Sequence, residues 1–488
     1  NPRKLLAEIS LKLIKNKPTN LIAVTGTNGK SSIADFYYQI LTLNNKKAAT
    51  IGTLGVRSKT VNFDLLNTTI DPIHLGQILK KLKNHRIENV IMEASSHGLD
   101  QNRLDGLIFN TGIFTNLSQD HLDYHKNLKD YLDAKLYLFR NLIKKKGNII
   151  TDSKIPEFDK IKKIAKKKFL KLNTIEGKNE KLKILTHSFH DESQILKIKY
   201  KGVVKHIRIN LIGKIQIKNI LMALIAAEKS GLNLNKILNV LPSLKSIEGR
   251  FEKIGMIKNK SKVILDYAHT PDALKTCLLN LKEQFPDKKI ISLFGCGGNR
   301  DQNKRSKMGN IADIFSDEIY LTDDNPRFES SHKIRKDIRT GIKKTKVIEI
   351  SDRGKAIAQA IKNLKTGEIL LVAGKGHEKV QDIGKRKIFF SDKKIILESI
   401  KTKNHSLSNN LKLNIIREVS GNKKFPFSLK LKQARINSKE VKKDDIFFAI
   451  KGNKNDGNKF ISQSFKNKAS LAVVNKIQKK LKIHNQIK

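Results

Sequence analysis

The segment Leu21-Ile-Ala-Val-Thr-Gly-Thr-Asn-Gly-Lys-Ser-Ser32 runs from an apolar stretch into a turn bounded by Gly26 and Gly29 and closed by Lys30, Ser31 and Ser32. Such a turn can wrap backbone N–H groups around a phosphate, because glycine accepts the required torsions and lets the chain approach closely. The helix expected after it offers its positive end to the same anion. Lys30 then reaches the outer phosphates, and the Ser31 hydroxyl completes a Mg2+ shell. Only Thr27 and Asn28 separate the glycines, where the general nucleotide motif has four residues. The same residues therefore also read as an ordinary strand–helix turn.

Further along, Glu93-Ala-Ser-Ser-His-Gly98 follows an apolar run with a carboxylate suited to a hard cation and hydroxyls suited to an anion. Thr115-Asn-Leu-Ser-Gln-Asp-His121 adds His121 as a second metal-ligand candidate. Taken singly, each reads as a capped turn. Lys135, within Tyr131-Leu-Asp-Ala-Lys-Leu-Tyr-Leu-Phe139, reads by spacing alone as a solvated surface lysine. In the second half, Asp266-Tyr-Ala-His-Thr-Pro-Asp272 brings two acids and a histidine, and Gly295-Cys-Gly-Gly-Asn-Arg300 is another glycine-rich turn. Asp323-Asp-Asn-Pro-Arg327 uses a fixed-φ proline to orient Asn325 and Arg327. Planar guanidinium forks match carboxylates, so Arg300 and Arg327 on one crevice point to an amino-acid or acidic substrate. Gly374-Lys-Gly-His-Glu378 supplies an acid able to receive an ammonium group. Taken singly, these too read as loop structure or surface ion pairs.

Positioning such loops requires strands that end where they begin. Leu21–Thr25, Asn89–Glu93, Leu107–Asn116, Lys262–Asp266, Lys289–Phe294, Glu318–Thr322 and Glu368–Ala373 all read as buried parallel strands ending in polar turns. Amphipathic helices separate them, among them Leu128–Ile143 with Leu128, Leu132, Leu136 and Phe139 on one face and Gly147 to stop it. The alternation predicts an α/β architecture with a mostly parallel sheet, whose ligands bind beyond the strands' carboxyl ends. Residues 173–206 read as a peripheral hairpin region. Boundaries are expected near Ser246–Gly249 and at a polar linker over 403–410.

The chain of 488 residues carries a net charge of +51, which invites a nucleic-acid reading. Its lysines are spread along the whole length, only 6% of residues are aromatic and tryptophan is absent, so stacking platforms are sparse. The expectation is no nucleic acid, with the field still favouring anionic substrates. Two cysteines cannot staple a secreted scaffold, and no apolar run reaches the roughly 20 residues of a membrane span. A cytoplasmic setting follows. An opening at Asn1 rather than Met leads us to expect that the natural start is missing.

The order of these motifs over residues 2–402 resembles the Mur ligase family, whose own phosphate loop is the shortened form. The resemblance implies a central P-loop ATPase domain over 1–249 and a Rossmann-like ligase domain over 250–402. It implies ATP held by Gly26, Thr27, Asn28, Gly29, Lys30, Ser31 and Ser32, with Asn219, Arg250 and Asp266 also on the nucleotide. Ser31, Glu93 and His121 would ligate Mg2+, together with Lys135 after carbamylation by CO2. Lys30, Glu93, His121 and Lys135 form the implied catalytic set. Thr68, Thr69, Ser95, Gln101 and Arg103 match contacts to UDP-N-acetylmuramoyl-L-alanyl-D-glutamate. Arg300, Asp324, Asn325, Pro326, Arg327, Gly374 and Glu378 match a meso-diaminopimelate pocket, with Arg327 on the extra carboxylate. The family role implies contacts with other enzymes of cell-wall synthesis.

Two departures stand out. The family's Gly-x-Phe-Asn-x-x-Asn reads Gly213-Lys-Ile-Gln-Ile-Lys-Asn219, keeping Asn219 but not the Phe or the first Asn. The family's UDP-binding domain does not precede Asn1, so uridine anchoring is expected to be lost or supplied elsewhere. The tail over 411–488, through Ala434-Arg-Ile-Asn-Ser-Lys-Glu440, resembles such a first domain, with Ser438 as a uridine contact. It reads either as the start of a fused D-alanyl-D-alanine-adding ligase or as a permuted domain serving the part before it. Two alternatives stay open: a folylpolyglutamate synthase-like ligase, and a basic nucleotide-dependent nucleic-acid-binding protein.

Overall fold

The computed structural model describes residues 1–121, 124–175, 182–200, 202–420, 429, 431–452, 455–478, 481 and 485–487, with side chains left undescribed over 408–420. Two compact units emerge, one of Asn1–Ile254 with Lys262–Ile396, the other of Gly255–Ser261 with Leu397–Lys488.

In the first unit, strands β1 (Asn20–Thr25), β2 (Ala48–Gly52), β3 (Gly55–Ser58), β4 (Asn89–Glu93), β5 (Phe109–Phe114), β6 (Ile143–Asp152), β7 (Lys171–Ile175), β8 (Leu182–His190), β9 (Ser193–Tyr200) and β10 (Val203–Ile209) form one sheet. Its order is β10-β9-β8-β7-β6-β5-β1-β4-β2-β3. The centre is parallel, and antiparallel hairpins close both edges. Helices α1 (Pro2–Lys12), α2 (Lys30–Leu43), α3 (Pro72–Asn84), α4 (Ser96–Asp100), α5 (Leu128–Tyr137), α6 (Phe158–Lys167), α7 (Lys214–Lys229) and α8 (Leu234–Val240) cover it. Two buried clusters line its faces, one around Ile22, Val24, Phe36 and Leu224, the other around Ala23, Val90, Phe114 and Phe139. Successive residues of β1 thus feed opposite cores, as the pleat demands.

A second sheet in the same unit has the order β11 (Glu252–Lys253), β12 (Lys262–Asp266), β16 (Ile369–Ala373), β13 (Ile290–Phe294), β14 (Glu318–Leu321), β15 (Val347–Glu349). It is parallel except for β11, with α9 (Pro271–Gln284), α10 (Lys304–Phe315), α11 (Ser331–Arg339) and α12 (Arg353–Asn363) around it and a hairpin of β17 (Val380–Asp382) and β18 (Lys387–Phe389). A fully buried Arg353 holds Asp392 through two hydrogen bonds of 2.8 and 2.7 Å and also donates to the Ala373 carbonyl, bracing the end of β16. All seven expected strands form within two residues of their expected ends.

Two expectations fail. The helix expected over Leu128–Ile143 ends at Tyr137, passes through a π-turn over Leu138–Leu142, and yields to β6 at Ile143, which pairs with Phe109. Gly147 therefore sits inside a strand and stops no helix. Residues 403–410 are no irregular linker: they lie within helix α13 (Asp392–Ser420). The second unit also holds a small sheet, β19 (Ala434–Arg435), β20 (Ile446–Phe448), β21 (Leu471–Val473) and β22 (Gln486–Ile487), parallel throughout. Helix α14 (Ile461–Lys466) packs Ile461 and Phe465 with Val441, Phe447 and Ala472. Among the described residues, no helix is long and apolar enough to cross a membrane.

Candidate active site

Thr25 ends β1, and the next four residues turn so that Lys30 begins α2 with Gly29 as its cap. Gly29 holds φ +88°, and a Cβ there would stand 2.8 Å from Asn219 Oδ1. An L side chain is strained at that torsion and would also push Asn219 away. Gly29→Ala is therefore expected to weaken ATP binding about tenfold in calorimetry, with the fold retained. Unchanged affinity would show that this turn does not cradle the phosphates.

The turn is tied down on all sides. Asn28 N donates to Asn116 Oδ1 at 2.9 Å, Thr115 Oγ1 donates to Asn28 O at 2.6 Å, and Ser118 N donates to Thr27 Oγ1 at 3.0 Å. Lys30 Nζ donates to Gly26 O and Thr27 O at 3.0 and 2.8 Å, while Ser31 and Ser32 are buried in the first turn of α2. Burial lowers the Lys30 pKa, opposed by the Glu93 carboxylate.

Spacing alone puts Lys135 on the surface, and the structure overturns that reading. Instead of facing solvent it is only 1% exposed, donates to Gly26 O at 2.9 Å, and lies 4.1 Å from the Tyr131 ring centre. Burial, helped by the positive Lys30, drives its pKa well below the ordinary lysine value, with Asp120 opposing. Its helix turns inward because Tyr131, Leu132, Ala134 and Leu136 are buried too. Glu93 is buried at the end of β4, where Thr53 serves both its oxygens through N–H at 2.9 Å and Oγ1 at 3.1 Å. His121 has φ +54° and lies 3.4 Å from Asp120.

Among the described residues, no three His, Cys, Asp or Glu side chains are gathered as metal ligands. Hard cations take several oxygen ligands. The donor set of Ser31, Glu93 and His121 therefore fits Mg2+ only with further oxygens beside it.

A cavity of about 280 Å³ joins Asn28, Gly29 and Asn219 to Arg250, Asp266 and Cys277 from the second half. Arg250 stacks 4.5 Å from the Tyr267 ring and leaves its buried Nε without a partner. Asp266 accepts from Phe251 N at 2.7 Å. The altered segment after Gly213 is stabilised from outside: Gln284 accepts from Gly213 N at 2.7 Å and Asn280 from Ile215 N at 2.8 Å. These α9 side chains cap α7, whose Gln216 lines the cavity where the family's asparagine is missing.

A second cavity of about 180 Å³ is lined by Asp120, His121, His269, Arg300, Asp324, Asn325, Arg327, Gly374 and Glu378, among others. Asn325 donates to Glu378 at 3.0 Å and accepts from Lys375 at 2.9 Å. Glu378 does receive an ammonium group, but that of buried Lys375 at 2.9 Å. Arg327, at φ +52°, donates to Gly298 O at 2.8 Å, and Pro326 O accepts from Glu329 N at 3.0 Å. Burial raises the Asp324 pKa, with Arg353 opposing. Lys375, Asp120 and Thr53 carried no signal in the sequence, Lys375 as one lysine among many, Asp120 unweighted beside His121, and Thr53 far from any motif, while His269 stood out only as the histidine between two acids.

The residues expected to contact the dipeptide also lie together. Thr69 Oγ1 donates to Glu93 O at 2.9 Å and accepts from Ser95 N at 2.9 Å, while Arg103 donates to Thr69 O at 2.6 Å and to Gln101 Oε1 at 3.0 Å. Thr68 Oγ1 lies 3.0 Å from Thr53 Oγ1. In the second unit, Ser438 is buried and its hydroxyl donates to Gln463 at 3.3 Å.

Burial pushes His121 and His377 from 6.5 to about 4. The folded state thus binds fewer protons than the unfolded chain, so this stabilisation is present above about 6.5 and lost as pH falls toward 4. A His377→Gln variant is expected to lose about 2 to 3 kcal/mol less stability over that window in urea titrations; an unchanged slope would exclude His377 as a source.

A family model described as Mur ligase middle domain matches residues 24–227, and one described as Mur ligase, glutamate ligase domain matches residues 249–376. The UDP-N-acetylmuramoyl-L-alanyl-D-glutamate--2,6-diaminopimelate ligase of Rickettsia montanensis is 41% identical over 391 residues, 79% of this chain and 80% of that protein. The enzyme of the same name from Agrobacterium fabrum is 38% identical over 394 residues, 80% of each chain. A solved structure of a ligase of that name superposes with a TM-score of 0.60 at 31% identity, covering 83% of both chains. A Mycobacterium tuberculosis folylpolyglutamate synthase complexed with ADP gives a TM-score of 0.62 at 14% identity over 76% of this chain and 91% of its own, a likeness of fold alone.

Proposed function

The chain belongs to the Mur ligase family, and from that we propose that it is an ATP-dependent ligase of peptidoglycan synthesis, joining meso-diaminopimelate to the D-glutamate of UDP-N-acetylmuramoyl-L-alanyl-D-glutamate. The observation that carries this reading is one cavity lined both by His121, from the phosphate-loop side, and by Arg300, Asn325, Arg327 and Glu378. A donor and an acceptor of an amide bond need such adjacency.

In this reading the D-glutamate side-chain carboxylate takes the γ-phosphoryl group of ATP, giving an acyl phosphate. The amine of diaminopimelate then attacks its carbonyl carbon and phosphate leaves. Lys30 neutralises charge on the transferring oxygens, and the turn over 26–29 orients them. Thr69, Ser95, Gln101 and Arg103 hold the dipeptide beside Glu93. His269 donates from Nδ1 to Tyr267 O at 2.8 Å, which leaves Nε2 to accept the proton that the incoming ammonium must lose. Arg300 and Arg327 orient the amino acid by its carboxylates.

Ser31, Glu93, His121 and a carbamate on Lys135 would hold Mg2+, which supplies charge neutralisation at the phosphates when bound. Burial disfavours the charged form of the Lys135 amine, and the neutral form is the one that adds CO2 and releases a proton. The resulting carboxylate is the extra oxygen ligand that the donor set needs.

We read residues 1–249 as the nucleotide half, 250–402 as the amino-acid half, and 411–488 as a first-domain module. The small parallel sheet of the tail supports that last reading.

The test is phosphate release from ATP with the UDP-muramoyl dipeptide, comparing diaminopimelate with lysine, with and without bicarbonate. Release that needs the dipeptide and prefers diaminopimelate is expected. Equal rates with both amino acids would remove the substrate assignment.

A further inference from the structure

We propose that the end of the large sheet opposite the cleft is a docking face for the anionic surface of a lipid bilayer. Strands β1, β4, β5, β6 and β7 run parallel, so their amino ends share one rim while the cleft lies beyond their carboxyl ends. On that rim β6 bulges: Phe109 pairs with Ile143 and Thr111 with Asn148, five steps along β6 against two along β5. The looped-out residues are Lys144, Lys145 and Lys146, all exposed, with Lys146 at φ +59°. Helix α6 returns to the same rim and ends in exposed Lys166, Lys167 and Lys168 before Lys171 opens β7. Its apolar Ile161 and Ala165 are spent on the core, so the charged side must face outward.

Phe169 stands directly after that lysine run. It is 73% exposed and holds φ +54°, in the helix-ending position that favours glycine. Fold stability gains neither from an aromatic ring in water nor from a left-handed phenylalanine. Ile108, 56% exposed, precedes β5 on the same rim. Lysines around protruding apolar side chains match a headgroup region, where ammonium groups meet phosphates and rings enter the acyl boundary. A surface built for single-stranded RNA would instead line a groove with several aromatic platforms, and one ring beside the lysines does not make that series. Docked this way, the chain leaves its cleft facing water.

The test is co-sedimentation of the full chain with vesicles of phosphatidylcholine, alone or with about one-third phosphatidylglycerol, at about 0.15 M salt. The chain is expected to pellet only with the anionic vesicles. Replacing Lys145, Lys166 and Lys167 together by glutamine should lower partitioning at least about tenfold, while the same change at exposed Lys333, Lys336 and Lys343 should cost under about threefold. Phe169→Gly should lower partitioning several-fold while keeping or raising the melting temperature, since it relieves the backbone. Equal losses from both triple variants would mean diffuse charge and overturn the proposal. So would no binding by the parent chain, full binding by Phe169→Gly, or a rim variant that loses single-stranded RNA affinity but keeps vesicle binding. None of these outcomes depends on the ligase activity.

Discussion

Lys135→Ala will lower turnover by about a hundredfold or more, with ATP binding and the melting temperature measured alongside. Lys135 is fully buried, shares the Gly26 carbonyl with Lys30, and its surroundings disfavour its charged form. A lysine that served packing alone would cost stability while sparing turnover. A carbamylated one gives the opposite pattern: turnover falls steeply, and bicarbonate restores activity to decarboxylated parent enzyme but not to the variant. Adding a small carboxylic acid should recover part of the variant's rate, since it supplies the missing oxygens. A variant that turned over at the parental rate would remove the carbamate from the mechanism.

Arg327→Ala should reduce kcat/KM for diaminopimelate about a hundredfold, the range of one charge-assisted bidentate contact, while KM for ATP stays within about twofold. Among the described residues, the Arg327 guanidinium donates to Gly298 O at 2.8 Å and makes a long 3.7 Å approach to Asp382. Donors therefore remain for a ligand carboxylate. Lysine, which lacks that carboxylate, should be used no worse by the variant than by the parent. If both amino acids lost activity in parallel, Arg327 would be bracing the loop rather than reading the substrate. Arg327→Lys serves as the control, because a point charge cannot reproduce the planar fork.

The strands needed little more than their sequence. Buried parallel strands must be apolar on both faces, so seven short apolar runs announced themselves, and each polar turn after them fell at the carboxyl end of a strand. The turn from Gly26 to Lys30 was legible for the same reason: a glycine-bounded turn into a helix is a local object, set by torsions and one following helix. Where local signals competed with pairing, sequence misled. Leu128–Ile143 has a helical period, yet Ile143 pairs with Phe109 because a strand neighbour was waiting there.

What the sequence alone determined, then, was an α/β chain with a glycine-bounded turn ahead of a helix and a set of polar loops at strand ends. Only the tertiary structure decided which loops meet. It brought His121 to Arg300 and Glu378 across two sheets, and took Lys135 out of water while most lysines stayed in it. Torsions and periodicity act between neighbours along the chain. Desolvation and adjacency depend on what packs above a residue, and that is fixed only when distant segments fold together.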